Sequence, residues 1–389
     1  MIQHSSFRTN PAFRGRAQRL LLGALATFAM ILGMVGAGAA TATADTVIGT
    51  IPVGNAPQGV AITPDGTFAY VANAQADSVS VIDTGTNMVV GAPIPVGPSP
   101  FGVAITPNGT RAYVTNNFSN SVSVIDTGTN TPITTVTVGN SPAGVAITPD
   151  GTRAYVTNFG DNTVSVIDTG TNMVVGAPIP VGNGPFGVTI SPDGAFAYVT
   201  NNFSGTVSVI DTGTDTVVGA PIPVGAFPNG VAITPDGTRA YVTNFGDSTV
   251  SVIDTGTDMV VGAPIPVGTN PHGVAITLEG KRTYVTNIGS GTVSVIDTGT
   301  NMVVETVTVG NEPFGVAITP DGTRAYVTNR DDDTVSVIAI DQCTGSLCFG
   351  SFAGAGSLTG GGSTGSGGAG SLIGAGSLAG IGSAASSGS

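Results

Sequence analysis

Seven tyrosines, all that the chain contains, stand at Tyr70, Tyr113, Tyr155, Tyr198, Tyr241, Tyr284 and Tyr326, each opening a Tyr-Val-Thr-Asn or Tyr-Val-Ala-Asn tetrapeptide. Their separations are 43, 42, 43, 43, 43 and 42 residues. A single unit of this length cannot bury its own apolar face, so the units must stack, and this period fits four-stranded blades rather than helical pairs. The sequence therefore predicts an all-β chain, a seven-bladed β-propeller with four antiparallel strands in each blade.

One unit, 142 to 182, shows why each repeat forms a sheet. The runs 144–148, 153–158, 163–168 and 173–181 are short and β-branched. Turn chemistry separates them: Pro149-Asp150-Gly151 presets one φ and supplies a positive one, and Asp168-Thr169-Gly170-Thr171 closes a second hairpin. The fourth run is an edge. Pro93 and Pro95, Pro178 and Pro180, Pro221 and Pro223, and Pro264 and Pro266 recur in it two residues apart, which removes donors from one side only. The repeats carrying these pairs are the 43-residue ones, and their additional residue predicts a bulge.

The ends of the array predict how it closes. Residues 46–53 match a fourth, outermost strand but precede the first blade, and the last repeat stops after its third strand near Asp341. The N-terminal strand should complete the last blade, abolishing the open edge of a linear array. Such a closed ring is expected to be a monomer.

Composition sets expectations for compartment. Arg8, Arg14, Arg16 and Arg19 precede an uncharged stretch from 20 to 40, then Ala42-Thr43-Ala44, the pattern of a cleavable export signal over 1–44. The propeller is assigned to 45–341 and a Gly/Ser/Ala-rich tail to 342–389. Cleavage leaves seven basic against 24 acidic residues, a net charge of −17 that repels phosphate backbones and argues against nucleic acid. No membrane span is expected after cleavage. Cys343 and Cys348 lie just past the last blade, where an exported chain favours a local disulfide. The tail repeats Gly-Ala-Gly-Ser-Leu and has too little apolar surface to offset its ordering entropy, so it should be structureless.

The Tyr-Val-Thr-Asn tetrapeptides, with recurring Gly-Val-Ala-Ile-Thr-Pro-Asp-Gly and Val-Ser-Val-Ile-Asp-Thr, resemble the YVTN family of β-propeller repeats over residues 46 to 341. The resemblance implies an exported or cell-surface protein of a bacterium or archaeon, with surface-layer proteins among the relatives. The long Arg- and Ala-rich leader points to a bacterium. Relatives of similar outline include a periplasmic propeller that binds single-stranded DNA, lactonases, and metal and quinone enzymes. Fold does not fix function among them.

Chemistry must be sought in residues. Beyond the leader there is one histidine, His272, one lysine and no tryptophan, so a multi-histidine metal centre is excluded by count, and a lone histidine singles out no Ser/His/Asp constellation. No cofactor is expected. Departures from the repeat instead cluster at one end of the ring. The x of Pro-x-Gly-Val is Gln58, Phe101, Ala143, Phe186, Asn229, His272 and Phe314, and the loops after the tetrapeptides carry Phe118, Phe159, Phe203 and Phe245 among Asn, Asp and Ser. Around a channel mouth this composition suits recognition of a carbohydrate or a peptide. It equally suits aromatic plugs between blades. The turns Asp211-Thr-Gly-Thr-Asp215 and Asp254-Thr-Gly-Thr-Asp258 lack the distal Glu of a Ca²⁺ loop and read as turn chemistry, and 331–333 as a solvated acidic loop.

The leading functional expectation is an exported, non-catalytic propeller presenting an interaction surface to an envelope protein or polysaccharide. A lactonase-type hydrolase comes second, and single-stranded nucleic-acid binding third.

Overall fold

A computed structural model describes residues 44–341. Residues 1–43 of the leader expected over 1–44, Cys343 and Cys348, and the tail lie outside the described residues. Seven sheets radiate about one axis, each ordered from an inner to an outer strand. In blade 3 the strands are Pro142–Ile147, Arg153–Asn158, Thr163–Asp168 and Met173–Pro180, close to the runs read from the sequence. Blade 7 is closed as expected: Pro313–Ile318, Arg324–Asn329 and Thr334–Ala339 are completed by Thr46–Pro52, which pairs antiparallel with Thr334–Ala339.

Period-2 alternation along each strand places β-branched and aromatic side chains on both faces of a blade, and neighbouring blades bury them against one another. The core is therefore seven inter-blade clusters. One unites Tyr155, Val164, Val166 and Ile179 of blade 3 with Ala197, Val199 and Ile210 of blade 4. The cluster that closes the ring joins Ile51, Tyr326, Val335 and Val337 to Ala69, Val71 and Ile82 of blade 1. Each fully buried Val or Ile contributes about 1.5–3 kcal/mol.

Each tyrosine has one polar atom to satisfy, and it does so across the interface. The Tyr155 hydroxyl donates to Asp215 Oδ1 (2.5 Å), Tyr113 to Asn172 (2.6 Å), Tyr198 to Asp258 (2.9 Å) and Tyr241 to Asn301 (2.7 Å), each partner lying in the last turn of the next blade. Tyr70 and Tyr326 bond Asn130 and Asn87 in the same way. These acceptors sit at φ of 53° to 56°, a left-handed position that Asn and Asp tolerate. The seventh station has no such turn. There Tyr284 donates to Asp45 Oδ2, and Asp45, its side chain wholly buried, also pairs with Arg282 (3.1 Å) and accepts the Asp341 amide (2.7 Å).

A second set of bonds ties the inner strands. Thr157 Oγ1 accepts from the Gly144 amide (2.8 Å) and donates to the Phe186 carbonyl of the next blade (2.7 Å). The approach is so close that a Cβ on Gly144 would lie 2.5 Å from that carbonyl, which is why the position after x is glycine. Blade 1, with Ala72 in place of this threonine, forgoes the bond.

The outer strands refine the reading of the repeat length. The 42-residue blades already bulge, two outer residues facing one step of the third strand between Val295 and Ile296. In the 43-residue blades the pairing skips from Ile179 to Val175 against Val164 to Val166, so the additional residue enlarges an existing bulge. In blades 1 and 5 the same enlargement splits the outer strand into Met88–Val89 with Ile94–Pro95 and Met259–Val260 with Ile265–Pro266. The proline pairs face outward as expected, because the Val181 amide donates inward to the Asn162 carbonyl.

Candidate binding face

The axis is lined by the seven inner strands, whose Gly-Val steps leave a cavity of about 190 Å³. Strand direction brings the x residues to one mouth of it, and the same end carries the loops between second and third strands. Phe101 packs edge-on against Phe186 and Phe314, each at 5.4 Å between ring centres, and His272 lies 5.4 Å from Phe186 and 3.7 Å from Phe314. Four blades thus meet at the axis through one stack of rings.

This stack divides the expected site residues into two groups. Phe314 is 6% exposed and His272 8%, and Gln58 and Asn229 are likewise buried, so these four seal the mouth rather than present a surface. Phe101 and Phe186 are half-buried in the same plug. Outside it, Phe118 is 80% exposed and Phe203 62%. Phe159, half-buried, stacks between Phe203 (5.1 Å) and Phe186 (6.1 Å) and links the plug to the rim. Phe245 is half-buried in the corresponding loop of blade 5.

Sequence reasoning missed Phe227, in the link from blade 4 to blade 5. It is 48% exposed at φ 51°, at the position Gly184 occupies one blade earlier. A bulky residue held there costs on the order of 1 kcal/mol and gains little burial. The signal was present as Ala226-Phe227 in a link otherwise built from Gly, Ser, Thr, Asn, Pro, Ala and Glu. Arg330 heads one of the loops at this mouth but was not among the expected site residues. Of the seven Lys and Arg residues beyond the leader, six lie at the opposite end, at or beside the starts of the second strands. Arg330 alone stands here, its guanidinium 5.7 Å above the Phe314 ring and ion-paired with Glu312.

Electrostatics at the mouth follow from the packing. Burial pushes the His272 imidazole down to about 3, and the Arg330 charge adds to this, while a hydrogen bond with the Phe314 backbone opposes it. His272 is therefore a neutral ring in the stack. The acidic loops are engaged as clamps: Asp332 accepts from the Asn311 amide (2.7 Å), Asp333 from the Ala56 amide (2.8 Å), and Asp161 from the Asn140 amide (2.6 Å). At the far end the Asp-x-Gly-x-Asx turns close on themselves, Asp168 Oδ1 accepting from the Thr171 amide and hydroxyl at 2.8 Å. Among the described residues no three His, Cys, Asp or Glu side chains come together to hold a metal ion, and no carboxylate lines the axial cavity.

A family model described as lactonase, 7-bladed β-propeller, matches residues 89–218, 144–301 and 219–352. Among solved structures, a chain of Kuenenia stuttgartiensis hydrazine synthase is 28% identical with a TM-score of 0.68, the match covering 78% of this chain and 99% of that one. No curated protein matches.

Proposed function

The chain belongs to the family of seven-bladed lactonase β-propellers, and from that premise we propose that it uses the architecture for binding: an exported propeller that presents an aromatic surface to a polysaccharide or protein of the cell envelope. The observation that carries this reading is the crescent of Phe118, Phe203 and Phe227, exposed on one end of blades 2 to 5. Folding gains little from three phenylalanines left this exposed, one of them in a left-handed conformation, whereas flat rings beside Asn117, Asn202 and Ser204 suit the C–H faces and hydroxyls of a sugar chain. Export and envelope location rest on the basic, apolar and small-residue succession of the first 44 residues.

The family match favours a second reading, lactone hydrolysis. A hydrolase of this outline that used a divalent cation at the axial mouth would need oxygen ligands there. The residues at this mouth are Phe101, Phe186, Phe314, His272, Asn229 and Gln58, which offer two amide oxygens and no carboxylate, so they do not fit such an ion. The two readings separate in one experiment. The triple variant F118A/F203A/F227A should lose binding to isolated envelope polysaccharide or protein while melting within a few degrees of the parent. Hydrolysis of a lactone panel by the parent, unchanged in the variant, would overturn the binding reading.

A further inference from the structure

The end of the ring opposite the aromatic crescent carries a cation position filled in five blades and left open in two. Arg111, Arg153, Arg239, Arg282 and Arg324 begin second strands and reach across to the next blade, four of them to its last turn and Arg282 to Asp45 at the seam. Arg153 donates to the Thr212 carbonyl (3.0 Å) and Asp215 (2.8 Å), Arg239 to the Thr298 carbonyl (2.8 Å) and Arg282 to Asp45 (3.1 Å). Arg111 and Arg324 reach the carbonyls of Thr169 and Thr84. In blades 1 and 4 the equivalent residues are Phe68 and Phe196.

The acceptors persist where the arginine does not. Three stations have a carboxylate beneath the tyrosine: Asp45, Asp215 and Asp258. The first two are ion-paired with Arg282 and Arg153, but Asp258 faces blade 4, whose residue is Phe196. Between blades 4 and 5 this leaves a cleft of about 410 Å³, lined by Phe196, Tyr198, Asp193, Asp236 and Thr255 among others. Phe196 is 37% exposed in it. No guanidinium acts at this tyrosine: after burial, Asp258, Asp193 and Asp254 raise the Tyr198 hydroxyl, whereas at Tyr155 the Arg153 guanidinium opposes the rise. The cleft beside Phe68 has Asn130 at the corresponding place and so lacks the carboxylate.

We propose that the cleft between blades 4 and 5 binds an arginine side chain of a partner peptide, its guanidinium lying against Asp258 and the Thr255 carbonyl and its plane over Phe196. The site is built, because the same chain shows five times how an arginine fills it. An aromatic face in place of the internal arginine adds a cation–π contact to the charge pair.

Titration of the full chain with Nα-acetylarginine amide tests this. The parent should bind it saturably, and the neutral citrulline counterpart about tenfold more weakly. F196R should supply the missing guanidinium and abolish saturable binding while raising the melting temperature. D258N, which retains the tyrosine acceptor as Asn172 and Asn301 do, should fold normally and bind about tenfold more weakly. Absence of saturable binding by the parent, equal binding of citrulline, or parental affinity in F196R would each overturn the proposal. The site lies at the opposite end from Phe118, Phe203 and Phe227, so loss of one function leaves the other measurable.

Discussion

The two ends of the propeller are built from the same repeat and obey different rules. At the end where third strands turn into fourth strands, one arrangement recurs seven times: a buried tyrosine hydroxyl, an Asx or Asp acceptor in the neighbouring blade, and in five cases an arginine beside it. At the other end the loops differ from blade to blade, and aromatic, acidic and amide side chains alternate. Repetition marks what holds the ring together. Variation marks where binding can be written without cost to the fold, and within the repetitive end the single carboxylate station opposed by a phenylalanine is the departure that stands out.

The sharpest way to break this contrast is at the seam. Deleting Asp45 to Gly54 removes the outer strand of blade 7 and the acceptor of Tyr284, so the protein should fail to fold or self-associate; an unchanged melting temperature in a monomer would dissolve the ring argument. Within the repetitive end, D45A leaves Arg282 and Tyr284 buried without their carboxylate and should cost about 3–5 kcal/mol, against about 1–2 kcal/mol for N172A, which removes a neutral acceptor. Chemical denaturation of the pair would show whether the closing station differs from the others.

At the variable end, plug and rim should respond oppositely. F314A should cost about 3–5 kcal/mol, while F118A, at 80% exposure, should change stability by no more than about 0.5 kcal/mol. Comparable losses would mean that the rim packs as the plug does. A smaller effect concerns pH. The folded-state value of His272 lies below its ordinary 6.5, so the unfolded chain takes up a proton that the folded chain refuses. Stability should fall as the pH drops from about 6.5 toward 3, on the order of 1–2 kcal/mol by pH 5. H272F, with the residue that blades 2, 4 and 7 place in this slot, should remove that part of the decline, as melting curves at pH 5 and 7.5 would reveal.

Much of the fold was legible because it is periodic. The tyrosine spacing gave blade number, the β-branched runs gave strand boundaries to within one or two residues, and residues 46–53 announced the exchanged strand. What the tyrosines do was not legible. Five of the hydroxyls find their partners about sixty positions away, and those of Tyr284 and Tyr326 find theirs 239 positions away, across interfaces that exist only once neighbouring blades have stacked. The same distance hid the cleft at Phe196, which in the sequence is merely a missing arginine. At the mouth, the sequence reading grouped ten residues as one candidate face. It could not separate the sealed Phe314 and His272 from the open Phe118 and Phe203, because that depends on which rings reach the axis.

The exchanged strand also sets a timetable. Thr46–Pro52 is among the first parts of the described chain to be made, and its partner Thr334–Ala339 among the last, so Asp45 waits through the making of all seven blades for an amide 296 residues away. Until then the early strand has no mate, and every blade made meanwhile stacks on an arc with two raw ends. Completion is thus a single late event joining the first and last strands of the ring, and the interval before it is when this protein has most need of keeping its own edges apart.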